Sequence, residues 1–232
     1  LGRGGGVITA TMTTHRLFPT LIYRAPLKAG SLARFNQTLL DEAHAMALDD
    51  HVGRRWSAKH YLGGYTSYGS LAQLHRLSST FAALERAMAP HVRRFVRELA
   101  YDMRGRALVM TDCWVNVMPA RTVHSLHLHP LSFISGTYYV QTPPGSPALK
   151  FEDPRLSKMM AVPPRQAKAA KAMRSFVEFP AEAGTLILFE SWLRHEVPPG
   201  EIDGERVSIS FNYAWRDLSA DKIAIAGRKR RS

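Results

Sequence analysis

The sequence predicts an α+β chain that is mostly β, with N-terminal helices packed on the outer face of one sheet of an antiparallel sandwich or barrel. Three observations lead there. Apolar residues recur at helical spacing up to about residue 103, and from Gly105 the pattern turns to short β-rich runs separated by Pro and Gly. Between those runs no helical stretch is long enough for a βαβ crossover, which leaves antiparallel pairing.

Taken in order, residues 17–23 read as an edge strand. From residue 29 to 50, Leu32, Phe35, Leu39, Leu40, Ala43, Met46 and Ala47 follow the helical period. Residues 61–69 form an aromatic, glycine-rich loop. A second helical stretch over 70–103 puts Leu77, Phe81, Leu84, Met88, Val92, Phe95, Val96 and Leu99 on one face. Pro90 lacks an N–H and its ring crowds the preceding turn, so it should divide this stretch into two helices. Strands are expected at 107–118, 125–129, 133–141, 148–152, 176–179, 185–190 and 206–213. The segment 155–175 reads as an insertion with room for a helical turn.

Bulk properties narrow the class. With 45% hydrophobic and 22% charged residues the chain lies away from the disordered composition. No apolar run approaches the roughly 20 residues that span a bilayer, and no signal peptide is expected. A single cysteine, Cys113, forbids an internal disulfide and fits a reducing cytoplasm. We read 1–232 as one domain: 1–14 a disordered extension with Met12 a candidate start, 15–105 a helical support, 106–216 the β core, and 217–232 a basic tail.

Lys and Arg number 31 against 19 Asp and Glu, a net charge of +12 that favours acidic partners. Much of it is local, in the tail from Gly227 to Arg231 and in a cluster over 155–174. A solvated tail and a solvated loop account for both. Nucleic-acid binding competes, but without an RNP-like aromatic pattern, zinc-finger spacing or helix-turn-helix signal.

The chemistry concentrates in two places. In His124-Ser125-Leu126-His127-Leu128-His129-Pro130, strand alternation puts His127 and His129 on one face and His124 on the opposite one. Two imidazoles from one strand are half of a site for Fe, Zn, Cu or Ni. The second place begins at His195, after Trp192-Leu193-Arg194. Eleven residues later Arg206 and Ser208 alternate with Val207 and Ile209 in an apolar strand. An arginine on a core strand needs an anionic partner, either a structural Glu or Asp or a bound carboxylate held by the guanidinium fork.

Together these residues resemble the 2-oxoglutarate/Fe(II) oxygenase superfamily, and more narrowly a poorly characterised bacterial and phage group within it. The resembling segments are Trp114-Val115-Asn116, His127-Leu128-His129-Pro130, Ser135-Gly136-Thr137-Tyr138-Tyr139-Val140, Phe151-Glu152-Asp153-Pro154-Arg155, Glu190 to His195 and Arg206 to Asn212. The resemblance implies a double-stranded β-helix (a jelly-roll, cupin-like barrel) and two cofactors, Fe(II) and 2-oxoglutarate. It implies His127, His129 and His195 as metal ligands, and Arg206 and Ser208 at the far carboxylate of 2-oxoglutarate. The implied activity is hydroxylation of a small-molecule or peptide substrate with release of succinate and CO₂. Tyr139 stands where related prolyl hydroxylases place a tyrosine that reaches the cosubstrate; packing is the alternative for it. Asn116 either binds cosubstrate or satisfies a sheet edge, and Trp192 and Trp215 read as core.

One departure stands out. The superfamily mostly has His-x-Asp or His-x-Glu, and here His129 occupies the carboxylate position. Glu152 or Asp153 is an alternative acidic ligand, and His124 an alternative imidazole. Two rival functions remain: a cupin-like metal dioxygenase without 2-oxoglutarate, and a non-enzymatic barrel that binds nucleic acid or an acidic partner. The loop 61–68 and the insertion 155–174 are lid candidates. The latter's Arg155, Lys158 and Arg165 suit an acidic substrate. The oligomeric state is left open.

Overall fold

A computed structural model describes residues 13–27 and 31–218. Most of the expected N-terminal extension, Met12 included, and nearly all of the basic tail lie outside these residues. The elements run β1 (Ile22–Pro26), α1 (Leu32–Asp49), α2 (His51–His60), β2 (Tyr65–Thr66), α3 (Leu74–Leu77), α4 (Ser79–Glu98), β3 (Arg106–Pro119), β4 (His124–His127), β5 (Ile134–Gln141), β6 (Leu149–Glu152), β7 (Phe176–Phe179), β8 (Thr185–Glu190), β9 (His195–Val197) and β10 (Glu205–Asp217). Two short 3₁₀ turns, Leu156–Lys158 and Lys171–Met173, lie in the insertion.

The strands form two antiparallel sheets, of order β1-β8-β5-β10-β3-β2 and β4-β9-β6-β7. They remain two open sheets and do not close into a barrel among the described residues. This is the double-stranded β-helix architecture in its sandwich form.

Alternation along the six-stranded sheet divides the molecule. Val207, Ile209, Phe211 and Tyr213 of β10, Val115 and Val117 of β3, and Leu186 and Leu188 of β8 face the helices. There they meet Leu39 and Ala43 of α1 and Phe81, Leu84, Met88, Val92 and Phe95 of α4 in the larger core. The other face carries Met118, Tyr139, Ile187 and Phe189, which join Leu149, Phe151, Leu193 and Val197 in a second, smaller core between the sheets. Arg206, Ser208 and Ser210 share that face and open the core into a cleft.

One expectation about the helices needs correction, and one helix has no periodic sequence signal of its own. Pro90 does not divide the second stretch: α4 runs through it, and the break falls at Ser78, whose hydroxyl caps α4 by accepting from Thr80 N. Pro90 lies on the exposed side, so the carbonyl it leaves unpaired faces water while the apolar face stays continuous. The second helix, α2, lacks an apolar stripe. It is started by Asp50, whose carboxylate accepts from Gly53 N at 2.8 Å. The same carboxylate accepts from the Tyr65 hydroxyl at 2.9 Å and from the Ser70 hydroxyl, tying α2 to the aromatic loop.

Candidate metal and cosubstrate site

The cleft lies between the sheets and is partly open to solvent. One end is lined by His124, His127, His129 and His195, the other by Arg206, Ser208, Asn116 and Tyr61.

His127 and His195 are directly paired across β4 and β9, with ring centroids 4.3 Å apart. β4 ends at His127. His129 stands just beyond it, held by a bond from its backbone N–H to the Ser191 carbonyl at 3.0 Å. One ring nitrogen from each of the three histidines falls within 4.8 Å of the others. The Nε2 atoms of His127 and His129 are 3.1 Å apart. Two imidazoles bound at right angles with metal–nitrogen bonds of about 2.1 Å bring their nitrogens to about 3.0 Å, so the spacing fits adjacent ligands of one ion.

The other ring nitrogen is engaged in each case. His127 Nδ1 donates to the Ser125 carbonyl at 2.6 Å, His195 Nδ1 to the Leu193 carbonyl at 2.9 Å, and His129 Nδ1 to Asn212 Oδ1 at 2.5 Å. An oxygen acceptor on Nδ1 keeps the proton there and leaves the Nε2 lone pair for a metal. Burial holds the imidazoles uncharged: His129 is pushed down to about 4, and His127 and His195 also lie below 6.5.

At the other end Arg206 is 2% exposed. Its Nη1 donates to Met118 Sδ at 3.2 Å and to Ser208 Oγ at 3.4 Å, and its guanidinium lies 4.9 Å from the centre of the Tyr139 ring. No carboxylate among the described residues lies within 4.0 Å of it, which removes the structural ion pair. Arg206 Nε, Tyr61 Oη, Tyr139 Oη and Asn116 Oδ1 are buried without a hydrogen bond from the protein. Asn116 spends its amide nitrogen on Ser210 Oγ at 3.0 Å. A buried guanidinium costs several kcal/mol unless paired, so this end suits an anionic ligand with two or more oxygens.

Six of the seven residues singled out from the sequence, His127, His129, His195, Arg206, Ser208 and Asn116, therefore line one cleft; Tyr139 does not line it and is packed against the Arg206 guanidinium. The acidic alternatives do not reach it, because Glu152 is paired with Arg194 and Asp153 with Arg155, each at 2.8 Å. His124 needs correction. It lines the cleft, stacked on His127 with centroids 4.2 Å apart and planes 17° apart. Between the pairs His124–Val197 and His127–His195, two residues of β4 (Ser125 and Leu126) face one of β9 (Glu196), so a β-bulge returns His124 to the inner face. Only the pairing reveals it. Burial, then the nearby His127, His129 and Arg206, hold its imidazole near 3. Of the two tryptophans expected in the core, Trp192 is 46% exposed because it occupies the turn between β8 and β9 at the rim. Tyr61 was expected in a lid and instead is buried, edge-on to His124.

Residues 112–212 match the model of the family described as "Putative 2OG-Fe(II) oxygenase". No curated protein sequence matches the chain. Among solved structures it is similar to a prolyl-4-hydroxylase from Pseudomonas putida (TM-score 0.56, 14% identity, 84% of this chain and 92% of that one). It is similar to a prolyl hydroxylase from Trichoplax adhaerens in complex with a peptide fragment of the hypoxia inducible factor oxygen degradation domain (0.55, 16%, 83% and 83%). It is also similar to HygX from Streptomyces hygroscopicus with nickel, 2-oxoglutarate and hygromycin B bound (0.54, 13%, 84% and 83%). At such identities these likenesses establish the fold alone. The family match covers the sheets that carry these motifs, and the family it names is one of 2OG-Fe(II) oxygenases, oxidoreductases whose cofactors are Fe(II) and 2-oxoglutarate.

Proposed function

We propose that this chain hydroxylates a small-molecule or peptide substrate at the expense of 2-oxoglutarate and O₂, releasing succinate and CO₂. The observation that carries the proposal is Arg206, a guanidinium 2% exposed and without a carboxylate partner among the described residues, in the same cleft as three converging imidazoles. In this reading His127, His129 and His195 hold the iron. Arg206 and Ser208 grip the far carboxylate of 2-oxoglutarate, with Tyr139 and Asn116 supplying the next hydrogen bonds. When bound, the iron and the keto acid together activate O₂, and decarboxylation of the keto acid provides two electrons.

The protein's own part is orientation and exclusion of water. The Ser125 and Leu193 carbonyls fix two of the ligand rings. Trp114, Leu149, Phe189 and Val197 keep the walls apolar. His124, held uncharged by burial, offers one donor and one acceptor to whatever lies beside it.

A cupin-like dioxygenase without 2-oxoglutarate leaves Arg206 unexplained. The insertion 155–174, with Arg155, Lys158, Arg165, Lys168, Lys171 and Arg174 and no acid of its own, favours a negatively charged substrate. Across the described residues no helix is long and apolar enough to cross a membrane. The buried free Cys113 supports a reducing compartment such as the cytoplasm. The test is O₂ uptake and succinate formation by the Fe(II)-loaded protein with and without 2-oxoglutarate. Uptake that depends on 2-oxoglutarate and yields succinate is expected; uptake indifferent to it overturns the proposal.

A further inference from the structure

We propose that Asp112, acting through Asn212, sets the tautomer of His129 and so is a positioning residue for the third metal ligand. This rests on the metal role assigned above. The three ligand histidines are not supported alike. His127 and His195 each donate Nδ1–H to the backbone carbonyl two residues earlier, an arrangement contained in their own strands. His129 has no such local acceptor and relies on side chains from β3, β5 and β10.

The chain of constraint begins at Asp112, which stands opposite Asn212 in the β3–β10 register. Its carboxylate accepts from the Thr111 hydroxyl at 2.7 Å and from Asn212 Nδ2 at 3.3 Å. An ionised carboxylate can only accept, so the amide nitrogen of Asn212 must face it. The amide oxygen must then face the other way, where it takes the Ser135 hydroxyl at 2.8 Å and His129 Nδ1 at 2.5 Å. An amide oxygen also only accepts, which puts the proton of His129 on Nδ1 and bares the Nε2 that stands 3.1 Å from His127 Nε2. Asn212 is 5% exposed, so water does not readily replace these partners. The register of β10 shifts between Asn212 and Tyr213, the kind of bulge that re-aims a side chain.

The test uses the full chain carrying ¹⁵N-labelled histidine, with long-range ¹H–¹⁵N spectra to read tautomers and Co(II) titration to read affinity. In the wild-type protein His129 is expected to be protonated on Nδ1. In Asp112→Asn the new amide can donate as well as accept, so Asn212 is free to turn. His129 then becomes a tautomer mixture, Co(II) affinity falls about tenfold, and the His127 and His195 signals stay in place. Asn212→Ala should match this loss, and it carries the test alone if Asp112→Asn does not fold. The double variant should be no weaker than Asn212→Ala, since Asp112 acts only through Asn212. Unchanged tautomer and affinity in Asp112→Asn, or losses that add in the double variant, overturn this role and leave the metal site standing. A wild-type protein that binds no Co(II) overturns both.

Discussion

At the histidine end of the cleft the Nδ1 atoms of His127, His129 and His195 each have an oxygen acceptor, whereas at the arginine end Arg206 Nε, Tyr61 Oη, Tyr139 Oη and Asn116 Oδ1 have no partner from the protein. Both ends lie along the inward face of the same strand, β10. They differ in how the fold treats polarity. The first is finished within the chain and presents lone pairs, as a cation requires. The second presents donors around a fixed positive charge, as a carboxylate requires. A ligand that satisfies both at once must carry an anionic end and reach toward a metal, which is the chemistry of 2-oxoglutarate.

The largest effects should come from breaking the finished end. His195→Ala removes a ligand paired in register with His127, and Co(II) or Fe(II) affinity should fall by more than the ~100-fold typical of losing an outer partner. Isothermal titration checks it, and retained affinity would detach His195 from the metal.

Breaking the other end should leave the metal untouched. Arg206→Ala should weaken 2-oxoglutarate binding by roughly 2–5 kcal/mol, and Arg206→Lys should not restore it, because an ammonium cannot form the fork. Metal affinity measured without 2-oxoglutarate should not change in either variant. The apo protein should be as stable with Arg206→Met as without it, or more so, since an unpaired buried charge is replaced by an apolar side chain. A large drop in melting temperature would instead make Arg206 structural.

Acid should also tell the two ends apart. Burial holds His129 near 4 and His124 near 3 in the folded chain, against about 6.5 unfolded. Above 6.5 neither state binds a proton at these sites. Below it the unfolded chain takes up protons that the folded chain refuses, so stability falls as pH falls, by ~1.4 kcal/mol per pH unit for each such imidazole. Urea midpoints of the metal-free protein between pH 7.5 and 5 should decline, and less steeply in His124→Phe. A flat profile contradicts the buried, neutral cluster. The smallest effect belongs to Tyr139→Phe, which removes one unpartnered hydroxyl. It should weaken 2-oxoglutarate by about 1 kcal/mol and leave folding unaffected.

Much of this was legible in the residues. The alternation Arg206-Val207-Ser208-Ile209-Ser210-Phe211 announces a strand with one polar and one apolar face, and the structure buries Val207, Ile209 and Phe211 against the helices. His127 and His129 were readable for the same reason, and His195 through a resemblance carried by ordered motifs. What escaped depends on pairing or on surroundings. The bulge that turns His124 inward exists only relative to β9. The helix α2 has no apolar stripe and is specified by the Asp50 cap. Pro90 is tolerated because it faces solvent, which spacing alone does not tell. Asp112 and Asn212 are 100 residues apart and meet only through register, so nothing local connects either to His129.

The most direct measurement is anaerobic titration of the metal-free protein with Fe(II) and 2-oxoglutarate, following the visible charge-transfer band of the chelate. The band should form with wild-type protein, fail with His195→Ala, and require much higher 2-oxoglutarate with Arg206→Ala. A band that forms in the Arg206 variant at wild-type 2-oxoglutarate concentrations, or never forms in the wild type, contradicts the assignment of the two ends.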